Sequence, residues 1–120
     1  MWYVLIKKVL INKTTLILFQ MNSESKSKYK NDFLTARKLV NEFDPCDLMK
    51  ISAPTDEYDS LTHQLISFLY AKKSNQEIKD FILYEIENHF GLINPNGFKD
   101  PDKSAFFTNL DEFIINLNKI

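Results

Sequence analysis

Along most of this chain, apolar residues recur at helical spacing rather than in alternation. Tyr29, Phe33, Ala36, Val40 and Phe43 follow one another at steps of four, three, four and three, which predicts one face of an amphipathic helix. The Ser/Lys-rich stretch 22–31 reads as a loose lead-in or as the start of that helix. Pro45 predicts its end near Phe43, because a proline ring pushes the preceding residue out of the helical region. A second stripe, Tyr58, Leu61, Leu65, Phe68 and Leu69, predicts a helix starting around Thr55 or Asp56. Either residue can cap the free N–H groups. Asp56, Glu57 and Asp59 would then lie in the first turn, and Lys72 and Lys73 in the last, each where the helix dipole favours its charge.

The third helix has the clearest start. Ser74-Asn75-Gln76-Glu77 is a capping box, followed by Ile78, Phe81, Ile82, Ile86 and Phe90, with Gly91 placed for a left-handed C-terminal cap. Leu92 to Asp102 contains Asn94-Pro95-Asn96-Gly97 and Asp100-Pro101, which are turn signals. A fourth stripe, Phe106, Phe107, Leu110, Phe113, Ile114 and Leu117, predicts a helix over about Lys103–Asn118. No strand pattern follows residue 21 and no solenoid repeat is visible. The expectation is an all-α fold, a compact bundle of four helices over residues 22–120.

Residues 1–21 do not belong to that pattern. Lys7, Lys8 and Lys13 cut the apolar run 2–19 into short pieces, too short for a membrane span. Its order, apolar residues first and lysines scattered, differs from a secretory signal. Met21-Asn22-Ser23-Glu24 looks like an ordinary polar protein start. Residues 1–20 are therefore read as an upstream extension that the working protein lacks, with Met21 as its start. An added strand or helix and a targeting segment are the competing readings.

The 120 residues suffice for one domain with its own core, and the two glycines and four prolines fit few turns. Cys46 is the lone cysteine, so it can form neither an intrachain disulfide nor a cysteine zinc site, which fits a reducing, cytoplasmic setting. The net charge of −1 conceals an asymmetry: residues 21–120 hold 12 basic and 16 acidic groups, a net of −4. Nucleic acid is a poor partner for such a domain, because it needs a basic face to displace counterions.

The chemistry concentrates in one stretch. Between Glu42 and Asp59 stand six acids, Glu42, Asp44, Asp47, Asp56, Glu57 and Asp59, against Lys50. Three readings compete for them. As structural groups, Asp44 and Asp47 would hold backbone N–H groups in the turn after Pro45, and the later acids would serve the second helix. As a surface, they would dock a basic protein partner. As oxygen ligands, they would suit magnesium or calcium, although neither the spacing nor a turn glycine matches a calcium loop. His63 lies one turn after Asp59, where a carboxylate could orient it as a general base. His89, near a helix end, reads as structural. No phosphate loop, dinucleotide fingerprint, nucleophile elbow or zinc-binding histidine pair is present, and no cofactor is implied.

Phe43-Asp44-Pro45, followed by Ala53-Pro54-Thr55-Asp56-Glu57-Tyr58-Asp59 at a helix start, resembles a family of small bacterial four-helix proteins known only as a domain of unknown function. The resemblance spans roughly residues 29–118. The family's usual form has Trp at the Phe43 position and often Gly at the Ser52 position, so Ser52 is expected to bend the loop differently. The resemblance implies a fold and no established activity.

The leading functional expectation is a non-enzymatic interaction module that holds a basic partner with Asp44, Asp47, Asp56, Glu57 and Asp59; an immunity-like, toxin-neutralising role is one version. The alternative is a small metal-dependent or carboxylate-based hydrolase using Asp56, Asp59 and His63.

Overall fold

In a computed structural model, which describes residues 23–120, the chain is all-α. Helix α1 spans Ser23–Phe43, α2 Asp59–Tyr70, α3 Asn75–Asn88 and α4 Asp102–Leu117. A 3-10 turn, Pro95–Gly97, lies in the loop between α3 and α4. No strand occurs among the described residues. Contacts run from α1 to α2, α2 to α3, α3 to α4 and α4 back to α1, which closes a four-helix bundle. The expected extension, residues 1–20, lies outside the described residues.

Each stripe read from periodicity supplies one wall of the core. Ala36 and Val40 of α1, Leu65 and Ile66 of α2, Ile78 of α3 and Leu117 of α4 are fully buried. Burial of this apolar surface, at about 25 cal/mol per Å², is what holds short helices that would be marginal alone. Aromatic pairs fill the joints. Phe43 stacks on Phe113 at 4.8 Å, joining α1 to α4, and Phe68 meets Phe81 at 4.8 Å, joining α2 to α3.

Helix ends follow the expected chemistry at three places and depart from it at two. The Ser/Lys-rich segment forms the first turns of α1, where Lys28 pairs with Asp32 one turn on at 2.6 Å. The capping box of α3 is present: Glu77 N–H donates to Ser74 Oγ, and Ser74 N–H donates to Glu77 Oε1, each at 3.1 Å. Gly91 has φ +69° beyond the end of α3, and a Cβ there would meet nothing within 4 Å, so glycine is needed for the backbone angle alone.

The first departure is the start of α2. It begins at Asp59, not at Thr55 or Asp56. Residues 55–58 form a tight turn instead, in which Glu57 N–H donates to the Pro54 carbonyl and Asp59 N–H to the Asp56 carbonyl. Tyr58 takes the N-cap position, with no side-chain cap, because its ring turns into the core. The second departure is the end of α2. Lys72 and Lys73 lie beyond the helix, where Lys72 adopts φ +56°. Lys73 N–H reaches the Phe68 carbonyl and Lys72 N–H the Leu69 carbonyl, which together make a Schellman closure without glycine.

The two capping predictions separate cleanly. Ser74→Ala is expected to lower unfolding free energy by about 1 kcal/mol in urea titration. Thr55→Ala is expected to cost less than about 0.5 kcal/mol, because no side-chain hydrogen bond of Thr55 caps α2.

Candidate functional site

The connector between α1 and α2 carries the sequence's concentration of acids. Its fold starts where α1 stops. Asp44 takes φ +49°, and its N–H donates to the Val40 carbonyl at 2.7 Å, which is the left-handed closure of a helix end. That conformation turns the Asp44 carboxylate back over the connector. Oδ1 accepts the Met49 N–H at 2.9 Å and the Tyr58 hydroxyl at 2.7 Å, and Oδ2 accepts the Lys50 N–H at 2.9 Å. The Tyr58 oxygen in turn accepts the Cys46 N–H at 2.9 Å. Four donors, the Met49, Lys50 and Cys46 N–H groups and the Tyr58 hydroxyl, are thereby satisfied in a connector that has no regular ladder. Burial, and then the hydrogen bond to Asp44, raise the Tyr58 pKa well above the ordinary phenol value, so the hydroxyl stays protonated and donating.

Two further residues here hold left-handed angles, Asp47 at φ +57° and Ser52 at φ +62°. Ser52 thus holds an angle that glycine adopts without steric cost. Its hydrogen bond, from N–H to the Met49 carbonyl at 3.0 Å, belongs to the same turn.

The acids divide into two groups. Asp44 is committed to the connector, and Asp59 to Arg37 of α1, whose Nε and Nη2 reach its two carboxylate oxygens at 3.0 and 3.2 Å. That fork–fork pair ties the first residue of α2 to α1. Asp47, Asp56 and Glu57 are exposed, and no side-chain hydrogen bond or ion pair with a described residue engages them. The reading of Asp44 as a turn-holding group is met; Asp47 plays no such part, because its left-handed backbone carries the carboxylate out to solvent.

His63 belongs to a different environment. Its Nδ1 lies 2.8 Å from the Tyr29 hydroxyl, and its ring stacks on Phe33 at 4.2 Å. Burial lowers its pKa below 6.5, with the Asp59 charge opposing only in part. Asp59 and His63 thus face Arg37 and Tyr29 respectively, and Asp56 stands apart in the exposed turn. Among the described residues, no three His, Cys, Asp or Glu side chains are grouped to share a metal ion. Burial pushes the Cys46 thiol up to about 11, and the nearby Asp44 and Asp47 charges add to it, which keeps the sulfur a neutral thiol at pH 7.

Beside the Asp44–Asp47 turn opens a cleft of about 370 Å³, walled by Phe43, Cys46, Leu92, Ile93, Phe98 and Phe106. Ile93 is 73% exposed on its edge. Sequence reasoning passed over this cleft and over Arg37. The signal for the cleft was available in Leu92-Ile93, an apolar pair stranded inside a turn-rich loop. Arg37 had no such signal, since a single basic residue on a helix names no partner.

No protein-family model matches the chain, and neither a curated protein nor a solved structure matches it. The two motifs behind the resemblance have a joint physical role all the same: Asp44 of the first holds Tyr58 of the second. No helix among the described residues is long and apolar enough to cross a membrane.

Two measurements probe this arrangement. Tyr58→Phe leaves the Cys46 N–H without its acceptor and Asp44 without one donor, and is expected to cost about 2 kcal/mol of stability in urea unfolding. For His63, the folded pKa lies below the unfolded one, so the unfolded chain binds more protons near pH 6.5. Stability is expected to fall as pH drops from about 7.5 to 5.5, and His63→Phe is expected to flatten that slope. A steeper slope in the variant would reverse the assignment.

Proposed function

We propose that this protein is a non-enzymatic interaction module that holds a basic protein partner on the corner formed by the α1–α2 connector. The observation that carries the reading is the division of the acids. Asp44 and Asp59 are engaged within the fold, whereas Asp47, Asp56 and Glu57 present charge to solvent beyond what capping requires. Ile51, 71% exposed between them in sequence, adds an apolar contact to the same connector. Exposed carboxylates of this kind steer a cationic partner and set its specificity. Holding Asp44 and Tyr58 together fixes the corner in advance, which lowers the ordering cost of binding. Masking the basic surface of a toxin, as an immunity protein does, is one concrete form of this role.

The five residues read from sequence therefore separate into contact residues, Asp47, Asp56 and Glu57, and positioning residues, Asp44 and Asp59. The test is a pull-down with the tagged full chain, followed by calorimetric titration against any basic protein that it retains. Asp47→Lys/Asp56→Lys/Glu57→Lys is expected to keep its unfolding midpoint, with a stability change within about 0.5 kcal/mol, because no hydrogen bond or ion pair with a described residue engages these exposed side chains. It is also expected to weaken binding by at least about tenfold, most strongly at low salt. Unchanged affinity in that folded variant would refute the proposal.

A further inference from the structure

The cleft beside the connector does not end there. A second recess of about 260 Å³ lies between α1 and α4, and Phe43 and Asn109 stand in the walls of both. The two recesses therefore adjoin, giving a groove in two parts, one at the Leu92–Phe98 loop and one along the seam between α1 and α4. Its loop end is aromatic and aliphatic, with Phe98 and Phe106 in edge contact at 5.9 Å and Ile93 exposed on the lip. Its seam end presents Glu42 from α1 and Glu112 from α4, both exposed.

Two features of the groove select an occupant. The first is charge. Glu42, Asp44, Asp47 and Glu112 line it, and among the described residues no Lys or Arg does. Asp44 is engaged with Tyr58, but no ion pair with a described residue holds Glu42, Asp47 or Glu112. The second is shape. The seam residues stand at helical spacing on both sides, Leu39, Glu42 and Phe43 on α1 and Asn109, Glu112, Phe113 and Asn116 on α4. The furrow between two such ridges receives the ridge of a third helix.

We infer that this groove takes a cationic amphipathic helix of the protein partner. Its apolar stripe fills the Phe43–Phe98–Phe106 cleft, and its Lys or Arg side chains flank the groove opposite Glu42, Glu112 and Asp47. The inference rests on the interaction reading proposed above and adds to it the groove, the partner's secondary structure and two contact residues outside the connector.

The probe is a fluorescent Leu/Lys peptide of about 18 residues, patterned as an amphipathic helix, titrated against the full chain by anisotropy. Glu42→Lys/Glu112→Lys is expected to weaken binding by at least about tenfold, and Ile93→Ser by about fivefold. Asp56→Lys/Glu57→Lys is expected to change it by less than about threefold, since those side chains lie outside the groove walls. A scrambled peptide of the same composition is expected to bind at least about tenfold more weakly. If the connector pair abolishes binding and the groove pair does not, the helix inference fails and the acidic-corner reading survives. If neither pair matters, both fail. Equal binding of the scrambled peptide would also overturn the inference. Tighter peptide binding by Lys7→Glu/Lys8→Glu/Lys13→Glu would give the groove to this chain's own basic segment. A dimer in sedimentation velocity that Glu42→Lys/Glu112→Lys dissociates would give it to a second copy. Either result would overturn the inference.

Discussion

A single carboxylate organises the corner on which everything else depends. Asp44 ends α1 in the left-handed region, an arrangement that costs a non-glycine residue on the order of 1 kcal/mol. The same angle lets its two oxygens collect the Tyr58 hydroxyl and the Met49 and Lys50 N–H groups. Each such bond nets about 1 kcal/mol, more when the acceptor is charged, so the strain is more than offset. Tyr58 passes the constraint on: its oxygen accepts the Cys46 N–H, its ring packs against Phe90 at 5.7 Å, and its carbonyl accepts from the Thr62 side chain inside α2. The end of one helix, the start of the next and the far end of α3 are thereby set relative to one another.

This constraint also decides which acids are left over. A carboxylate inside a hydrogen-bond network, or forked onto an arginine, has its charge largely answered within the molecule. Asp44 and Asp59 are of that kind. The left-handed turn at Asp47 and the tight turn over 55–58 direct the remaining charges outward. The connector is thus rigid on its inner side and charged on its outer side, a combination suited to recognition without rearrangement. The neutral thiol of Cys46 packs against the core beside the connector, and the imidazole of His63 stacks on Phe33 of α1.

Helix existence was legible in the sequence wherever periodicity and a cap agreed. The α3 capping box, the Phe43 stop before Pro45 and the α4 stripe lie where local chemistry places them. The start of α2 was misread because Thr55 and Asp56 are good caps by residue type. Nothing local announces that Tyr58 must reach back to Asp44, and that long-range bond moves the helix start to Asp59. The Lys72 end was misread for a similar reason, since a Schellman closure usually advertises itself with glycine and here does without.

The sequence by itself determined the fold class, the four apolar faces and the location of the acidic concentration, because these depend on spacing and residue type within a few turns. The tertiary structure decided which acids are engaged and which are offered. It also decided that Arg37 answers Asp59, and that Phe43, Phe98, Phe106 and Ile93 meet in one groove. Those outcomes depend on contacts between residues far apart in the chain, and a carboxylate's role changes with the donor it meets, which no local pattern encodes.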